Sequence, residues 1–251
     1  MLFLYAAIAL IIGVLIYLLF KKSANKRMAE ESKSLSELGE GYVSQVLKRS
    51  FDNVIDGYVI RDEAGYTHET DHVVVTGAGV FVIETKNYSG IVLGNDDSPS
   101  WTQVLCDGKI RNKLYNPVRQ NRSHAYHIRK VLPKKTSVYT LVVMVQGNIE
   151  NIISDDVFSI PQAVGYINSK QEYLTREEIY DILDALDRNR VTDFDKEEHL
   201  RQIQKIKADI KQNLCPRCKA KLVRRRGDFR DYYECSNYPN CKFTIDVDES
   251  K

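Results

Sequence analysis

The stretch Thr70-Asp71-His72-Val73-Val74-Val75-Thr76-Gly77-Ala78-Gly79-Val80-Phe81-Val82-Ile83-Glu84-Thr85-Lys86 constrains this chain more than any other. Two β-branched, apolar runs flank Gly77-Ala78-Gly79, the pattern of a tight hairpin. Each run is apolar at consecutive positions, so both faces of these strands must be covered. Charge returns at one end only, with Asp71 opening the first strand and Glu84 and Lys86 closing the second. Alternation puts Glu84 and Lys86 on one face with Thr85 on the other. A two-residue loop (Gly77, Ala78) or a four-residue loop (Thr76 to Gly79) sets Asp71 directly across from Glu84. A three-residue loop would turn the two carboxylates to opposite faces, because a one-residue slip inverts every side chain. The even loop is the expectation.

Two carboxylates converging beside a lysine in a mostly buried place need compensation. A hard divalent cation supplies it, since Mg²⁺ is held by one or two carboxylates with waters and phosphate oxygens. The plainer reading of the same residues is a strand-end salt bridge from Glu84 or Asp71 to Lys86.

The segment Leu2 to Phe20 carries no charged residue. As a helix it would span about 28 Å, close to the hydrocarbon thickness of a bilayer. Lys21, Lys22, Lys26 and Arg27 follow at once. The run therefore reads as a membrane anchor with residues 21–251 on the cytoplasmic side, where cysteines stay reduced. Residues 21–34 read as a short charged linker. Next, Leu35, Leu38, Tyr42, Val43, Val46 and Leu47 form a helical stripe, with Gly39 giving room for close packing and Glu40 at the stripe's edge.

Val54 to Ile60 is a first strand. Beyond the central hairpin, Ile91-Val92-Leu93 and Trp101 to Leu105 are short strand candidates. Asn116-Pro117 starts a helix that runs to about Leu132 and carries Arg119, Gln120, Arg122, His124, His127, Arg129 and Lys130. Val138 to Val145 is a buried strand, and a short helix from Pro161 closes the core near residue 170. Thr175-Arg176-Glu177-Glu178 is a capping box ahead of Ile179, Ile182, Leu183 and Leu186. A further helix from about Lys196 to Asn213 completes what reads as a helical arm. No phosphate-binding GxxxxGK[ST] loop occurs.

The overall net charge of +2 says little, but the segment 214–247 holds eight Lys/Arg against four acids. Within it Cys215, Cys218, Cys235 and Cys241 give C-x2-C-x16-C-x5-C, a set of four thiolates for tetrahedral Zn²⁺. So few aliphatic residues cannot supply a core alone, so metal binding would fold the segment. Cys106 stands apart and reads as a buried or semi-buried thiol. Phe229, Tyr232, Tyr233, Tyr238 and Phe243 are candidates to stack on bases, with Arg224, Arg225, Arg226 and Arg230 following phosphates. The alternative is a zinc knob for protein contacts, its aromatics packed inward.

Several stretches together resemble the NERD (nuclease-related) domain of the PD-(D/E)XK superfamily. They are Gly39-Glu40, Asp71 to Val75, Gly79-Val80-Phe81-Val82-Ile83-Glu84-Thr85-Lys86-Asn87-Tyr88-Ser89-Gly90, Trp101 and Asn116-Pro117-Val118-Arg119-Gln120-Asn121. The resemblance covers roughly residues 37–150. It implies that Asp71 and Glu84, with the Thr85 carbonyl, bind Mg²⁺ (or Mn²⁺), that Lys86 serves the attacking water, and that Glu40 and Gln120 are accessory. Thr70 stands where the superfamily's name has Pro, a departure at a position that is not a ligand. The tail, through Cys215-Pro216-x-Cys218, Arg226-Gly227-x-Phe229 and Cys235-Ser236-Asn237-Tyr238-Pro239-x-Cys241, resembles the zinc ribbons of bacterial type I topoisomerases, which implies binding of single-stranded DNA.

The expected fold is α/β: a restriction-endonuclease-like core, a mixed sheet flanked by helices, with an N-terminal transmembrane helix, a helical arm and a small zinc ribbon. The expected division is 1–20 anchor, 21–34 linker, 35–170 nuclease-like domain, 171–213 arm and 214–251 ribbon and tail. The expected activity is metal-dependent hydrolysis of DNA phosphodiester bonds at a cell membrane. The rival is a non-catalytic tether that binds DNA or a protein. The sequence names no protein partner.

Overall fold

The computed structural model describes residues 2–63, 65–193, 195–226, 231–241 and 243–247, and of residues 2–16, 20, 24, 25, 28, 29, 32, 147, 148 and 246 it describes the backbone only. In chain order the elements are α1 (Leu2–Ser50), β1 (Asn53–Arg61), β2 (Thr67–Thr76), β3 (Gly79–Asn95), β4 (Ser100–Leu105), β5 (Ile110–Tyr115), α2 (Pro117–Val131), β6 (Val138–Asn148), β7 (Ile152–Ile153), β8 (Val157–Ser159), α3 (Ile160–Asn168), α4 (Arg176–Asn189), α5 (Lys196–Lys211), β9 (Leu222–Arg226), β10 (Asp231–Cys235) and β11 (Thr244–Asp246). Among the described residues, β1 to β8 form one mixed sheet and β9 to β11 a separate three-stranded one. This is the expected mixed sheet flanked by helices.

The central hairpin has the even loop. Thr76 pairs with Gly79 and His72 with Ile83, leaving Gly77 and Ala78 as the turn. Val73, Val74, Val75, Val80, Phe81, Val82 and Ile83 are all at most 1 % exposed, so both faces are covered as their composition demands. Each such side chain contributes about 1.5–3 kcal/mol. On one face Val73, Val75, Val80 and Val82 pack under α2 and α4; on the other Val74, Phe81 and Ile83 pack under α1 and α3.

One strand carries the architecture. β3 runs antiparallel to β2 through its first half and parallel to β6 along the opposite edge, then antiparallel to β4 from Ile91 to Leu93. Because β6 holds one edge throughout, β2 and β4 must share the other. Between Ile83, the last residue laddered to β2, and Ile91, the first laddered to β4, that edge has no strand partner. Ile91 to Leu93 is thus the far half of β3 and not a separate strand.

Four further expectations change. Residues 21–34 continue α1 instead of forming a linker. No Gly or Pro interrupts them, and Lys26–Glu30 and Lys33–Glu37 pair at i, i+4. The predicted stripe is narrower than its hydrophobicity suggests, since Leu35, Leu38 and Tyr42 are exposed while Gly39, Val43 and Leu47 form the buried seam. A Cβ at Gly39 would lie 3.0 Å from the Asn87 Cβ, which explains the glycine. The arm is two different things: the stripe of α4 (Ile179, Ile182, Leu183, Leu186) closes the core over the sheet, whereas Ile206 and Ile210 of α5 pack on the ribbon. Cys106 is exposed, in a tight 3-10 turn at φ 50°. β5 carries mostly exposed polar residues and gave no apolar signal.

The predicted anchor, Leu2–Phe20, falls largely on residues whose side chains lie outside the described ones. Its backbone is helical. Among the described residues no helix is long and apolar enough to cross a membrane.

Candidate functional site

The unpartnered edge of β3 is where the charged residues gather. Glu84 is 2 % exposed and sits one step beyond the last β2–β3 pair. Asp71 reaches the vacant edge, and the Thr85 backbone N–H donates to its Oδ2 at 2.7 Å. This reach depends on a break in the neighbouring ladder. β1 and β2 pair on either side of Gly57 and Asp71 but not there, and Gly57 adopts φ +55°, a conformation only glycine takes cheaply. Alternation slips at that step. Ile55 and Val73 lie in the same cluster as Tyr58 and Ile60, which strict alternation would forbid.

Lys86 follows on the Glu84 face. Its Nζ donates to Glu84 Oε1 at 2.6 Å and to Gln120 Oε1 at 3.2 Å. Gln120 is delivered by α2, whose start is fixed by the buried Asn116. The Asn116 Oδ1 accepts from the Val118 N–H at 2.9 Å, and its amide donates to the carbonyls of Asn95 and Ser98 at 3.0 and 2.7 Å. One turn on, the buried Asn121 amide donates to the carbonyls of Val82 and Leu141, each at 2.9 Å, pinning the helix across β3 and β6. Trp101 is buried, and its Nε1–H donates to the Asn95 carbonyl at 3.0 Å, so it steadies the same loop.

Burial and then the charge of Glu84 push the Asp71 carboxyl well above the ordinary carboxylate range, against the pull of Lys86 and the Thr85 N–H. Glu40 on α1 adds a smaller push of the same sign. Its Oε1 accepts from Ser36 Oγ at 3.1 Å. Burial opposes the Lys86 charge, but Glu84, with Tyr88 and Asp71, outweighs burial and holds the ammonium above the ordinary lysine range. Of the five predicted residues, Asp71, Glu84, Lys86 and Gln120 are thus brought together, while the side chain of Glu40 hydrogen-bonds Ser36 on its own helix.

Sequence reasoning missed His124 as a member of this site. It stands one turn after Gln120, with Nε2 3.6 Å from Glu84 Oε2. Neither ring nitrogen has a hydrogen-bond partner among the described residues, nor does Glu84 Oε2. Burial first, and the nearby Lys86 charge after it, pull the imidazole down to about 3, so it is neutral. The i, i+4 spacing of Gln120 and His124 was the available signal. Beneath the site His72 bridges Asp56 Oδ1 (2.8 Å) and Thr85 Oγ1 (3.2 Å), a buried support that strand hydrophobicity concealed.

The residues fit a divalent cation. Two carboxylates share a buried spot, one of them bears an oxygen without a hydrogen-bond partner, and the other is held away from its charged form in the cation's absence.

In the ribbon the four cysteines converge. Cys215 and Cys241 Sγ atoms are 3.7 Å apart, and Cys218 and Cys235 3.3 Å. A tetrahedral zinc with bonds of about 2.3 Å wants thiolates about 3.8 Å apart, so the set fits Zn²⁺. The predicted nucleic-acid face is only partly presented. Tyr233 and Phe243 pack into the ribbon's interior, because β10 and β11 have a face to bury and few aliphatics to bury there. Arg224 and Arg225 are drawn into cross-strand ion pairs with Asp231 (2.7 Å) and Glu234 (3.0 Å). Arg226 and Tyr238 are exposed and Tyr232 is half-buried. Phe229 and Arg230 lie outside the described residues. On α2, Arg122 is engaged by Asp96 and Asp156, so the helix offers phosphates less charge than its composition suggests.

Comparison with known proteins finds likenesses in both the core and the tail. Residues 35–145 match the model of the nuclease-related domain, and residues 212–250 match that of the topoisomerase DNA binding C4 zinc finger. An uncharacterized protein of Bacillus anthracis is 27 % identical over 154 residues, which covers 58 % of this chain and 70 % of that protein. DNA topoisomerase 1 of Methanocaldococcus jannaschii is 33 % identical over 49 residues, 20 % of this chain and 6 % of that enzyme. No solved structure matches. The core is thus similar to the nuclease-related domain and the tail to the topoisomerase-type C4 zinc finger, a pairing that suggests nuclease-related function with DNA binding.

Proposed function

We propose that the chain is a divalent-cation-dependent nuclease that hydrolyses DNA phosphodiester bonds, its ribbon holding single-stranded DNA near the core. The observation that carries this reading is the meeting of Asp71 and Glu84 beside Lys86 at the vacant edge of β3. Asp71, Glu84 and the Thr85 carbonyl would hold Mg²⁺ or Mn²⁺, with Glu40 behind Asp71. Such a cation, when bound, polarises a phosphoryl oxygen and lowers the pKa of a bound water.

The chain's own groups do the rest. The Thr85 N–H fixes the Asp71 carboxylate. Glu84 Oε1 and Gln120 aim the Lys86 ammonium, which would orient the attacking water or stabilise charge developing on the phosphorus oxygens. His124, neutral and buried, fills the space behind Glu84 without adding a competing positive charge. Arg226, Tyr232 and Tyr238 are the ribbon groups placed to follow a strand.

The test is cleavage of single- and double-stranded DNA with Mg²⁺ or Mn²⁺. Wild type should cut only with the cation, and Lys86→Ala should cut about 10²–10³-fold more slowly. Salt-sensitive binding without cleavage by wild type would remove the hydrolase and leave a DNA-binding tether.

The uncharged run Leu2–Phe20 and the lysines after it support placing this activity at a membrane, with the bulk of the chain on the cytoplasmic side. Quantitative release of the full chain from membranes by alkaline carbonate would contradict that placement.

A further inference from the structure

We propose that Asp62, His68 and His127 form a second transition-metal site where the core meets the ribbon, with an open coordination position facing the cleft between them. Asp62 lies in the turn after β1, His68 on β2 and His127 on α2, and one ligand atom from each lies within 4.8 Å of the others. The carboxylate is already oriented: its Oδ1 accepts from the Tyr66 N–H at 2.9 Å, and its Oδ2 is 3.2 Å from His68 Nε2. The two imidazoles stack with centroids 3.7 Å apart and planes at 16°, an arrangement that two imidazolium ions would resist.

The donor set selects the ligand. Two imidazoles with one carboxylate suit Zn²⁺, Co²⁺, Ni²⁺ or Fe²⁺ and not Mg²⁺, the cation suited to the all-oxygen pair at Asp71 and Glu84. A tetrahedral ion with bonds of about 2.1 Å wants its ligand atoms ~3.4 Å apart and must lie in the plane of each imidazole, so binding asks one of the stacked rings to swing out of the stack. Three protein ligands leave one position open. Lys130, Arg217 and Asn240 line the cleft beside it, groups that suit a phosphate oxygen as the fourth ligand.

The place of the site gives it consequence. The Tyr66 hydroxyl donates to the Pro216 carbonyl at 2.7 Å, next to the first ribbon cysteine, so a metal here would fasten the ribbon to the core. Gln120, His124 and His127 follow at i, i+4, i+7 on α2, so a single helix face runs from the Lys86 site to this one.

Elemental analysis of the tag-free full chain, loaded with zinc and desalted, tests the proposal. Wild type and Asp71→Asn should each retain two zinc ions per chain. His127→Ala and His68→Gln should each retain one, with unchanged far-UV circular dichroism. Co²⁺ substitution separates the centres: ribbon thiolates give an intense sulfur-to-cobalt charge-transfer band in every variant, while a set of weaker visible bands present in wild type and Asp71→Asn disappears in both His127→Ala and His68→Gln. One zinc per wild-type chain, or a second zinc that survives both histidine substitutions, overturns the proposal. The wild-type count decides the matter even if a variant fails to fold.

Discussion

Asp71→Asn should abolish cation-dependent cleavage while leaving the metal-free protein at least as stable as wild type. The loss should reach about 10²–10³-fold or more, the scale for removing one preorganised electrostatic group. The stability gain follows from the site's own conflict. Burial and Glu84 hold the Asp71 carboxyl well above its ordinary range, so ionising it in the fold costs more than ionising it in the unfolded chain. Its contribution is therefore complete below the unfolded pKa of about 3.9 and is lost as pH rises through the higher folded value. Wild type without cation gives up that stability on the way to neutral pH; the asparagine variant does not, and its amide oxygen still accepts from the Thr85 N–H. Saturating Mg²⁺ should return about 2.7 kcal/mol to wild type at a hundredfold excess over Kd and much less to the variant. Thermal unfolding with and without Mg²⁺ at pH 5 and 8, beside a cleavage assay, reads both effects. An Asp71→Asn protein that cuts at the wild-type rate rules out the assignment.

Cys215→Ser should release one zinc equivalent and unfold the ribbon. The ribbon's interior is Leu222, Tyr233, Phe243 and Ile245 with three buried cysteines, closed on one side by Ile206 and Ile210 of α5. That is too little apolar surface to hold three short strands without a metal, whose binding in small zinc domains is worth about 10–16 kcal/mol. Amide protection across β9 to β11 should vanish. The core should persist, because its three apolar clusters include no residue of the ribbon. DNA affinity should fall at least tenfold if the exposed Arg226 and Tyr238 carry the contact, or about 1.4 kcal/mol. Hydrogen exchange and zinc content measure the first outcome. A ribbon protected from exchange without metal would contradict it.

The central hairpin was legible because two constraints agree on it. A glycine turn limits the loop lengths, and apolar residues at consecutive positions demand burial on both faces, so Asp71 and Glu84 could be placed across from one another before any fold was known. Gln120 and the start of α2 were legible through Asn116-Pro117, a capping signal that works locally. His124 and His127 were not, because Glu84 and His68 lie about forty and sixty residues away in sequence, and His68 was not, although Asp62 is six residues away, because nothing local distinguishes a histidine facing the sheet from one facing water. The break at Gly57 was hidden too, since strand patterns assume unbroken alternation and one glycine at positive φ cancels it. In the ribbon, aromatic residues beside arginines suggested an exposed stacking surface, yet a domain with few aliphatics must bury its aromatics. The charged run after Phe20 read as a linker because polarity was weighed above helix propensity, though Lys, Glu, Ala and Met in spaced pairs favour a continuous helix.

The most direct test of the central claim is anomalous diffraction from crystals of the chain soaked in Mn²⁺. The account predicts a peak between Asp71 and Glu84, within about 2.0–2.3 Å of a carboxylate oxygen from each and near the Thr85 carbonyl, and no such peak in Glu84→Gln. Two carboxylates that turn from each other, or manganese that binds elsewhere and leaves this spot empty, would contradict it.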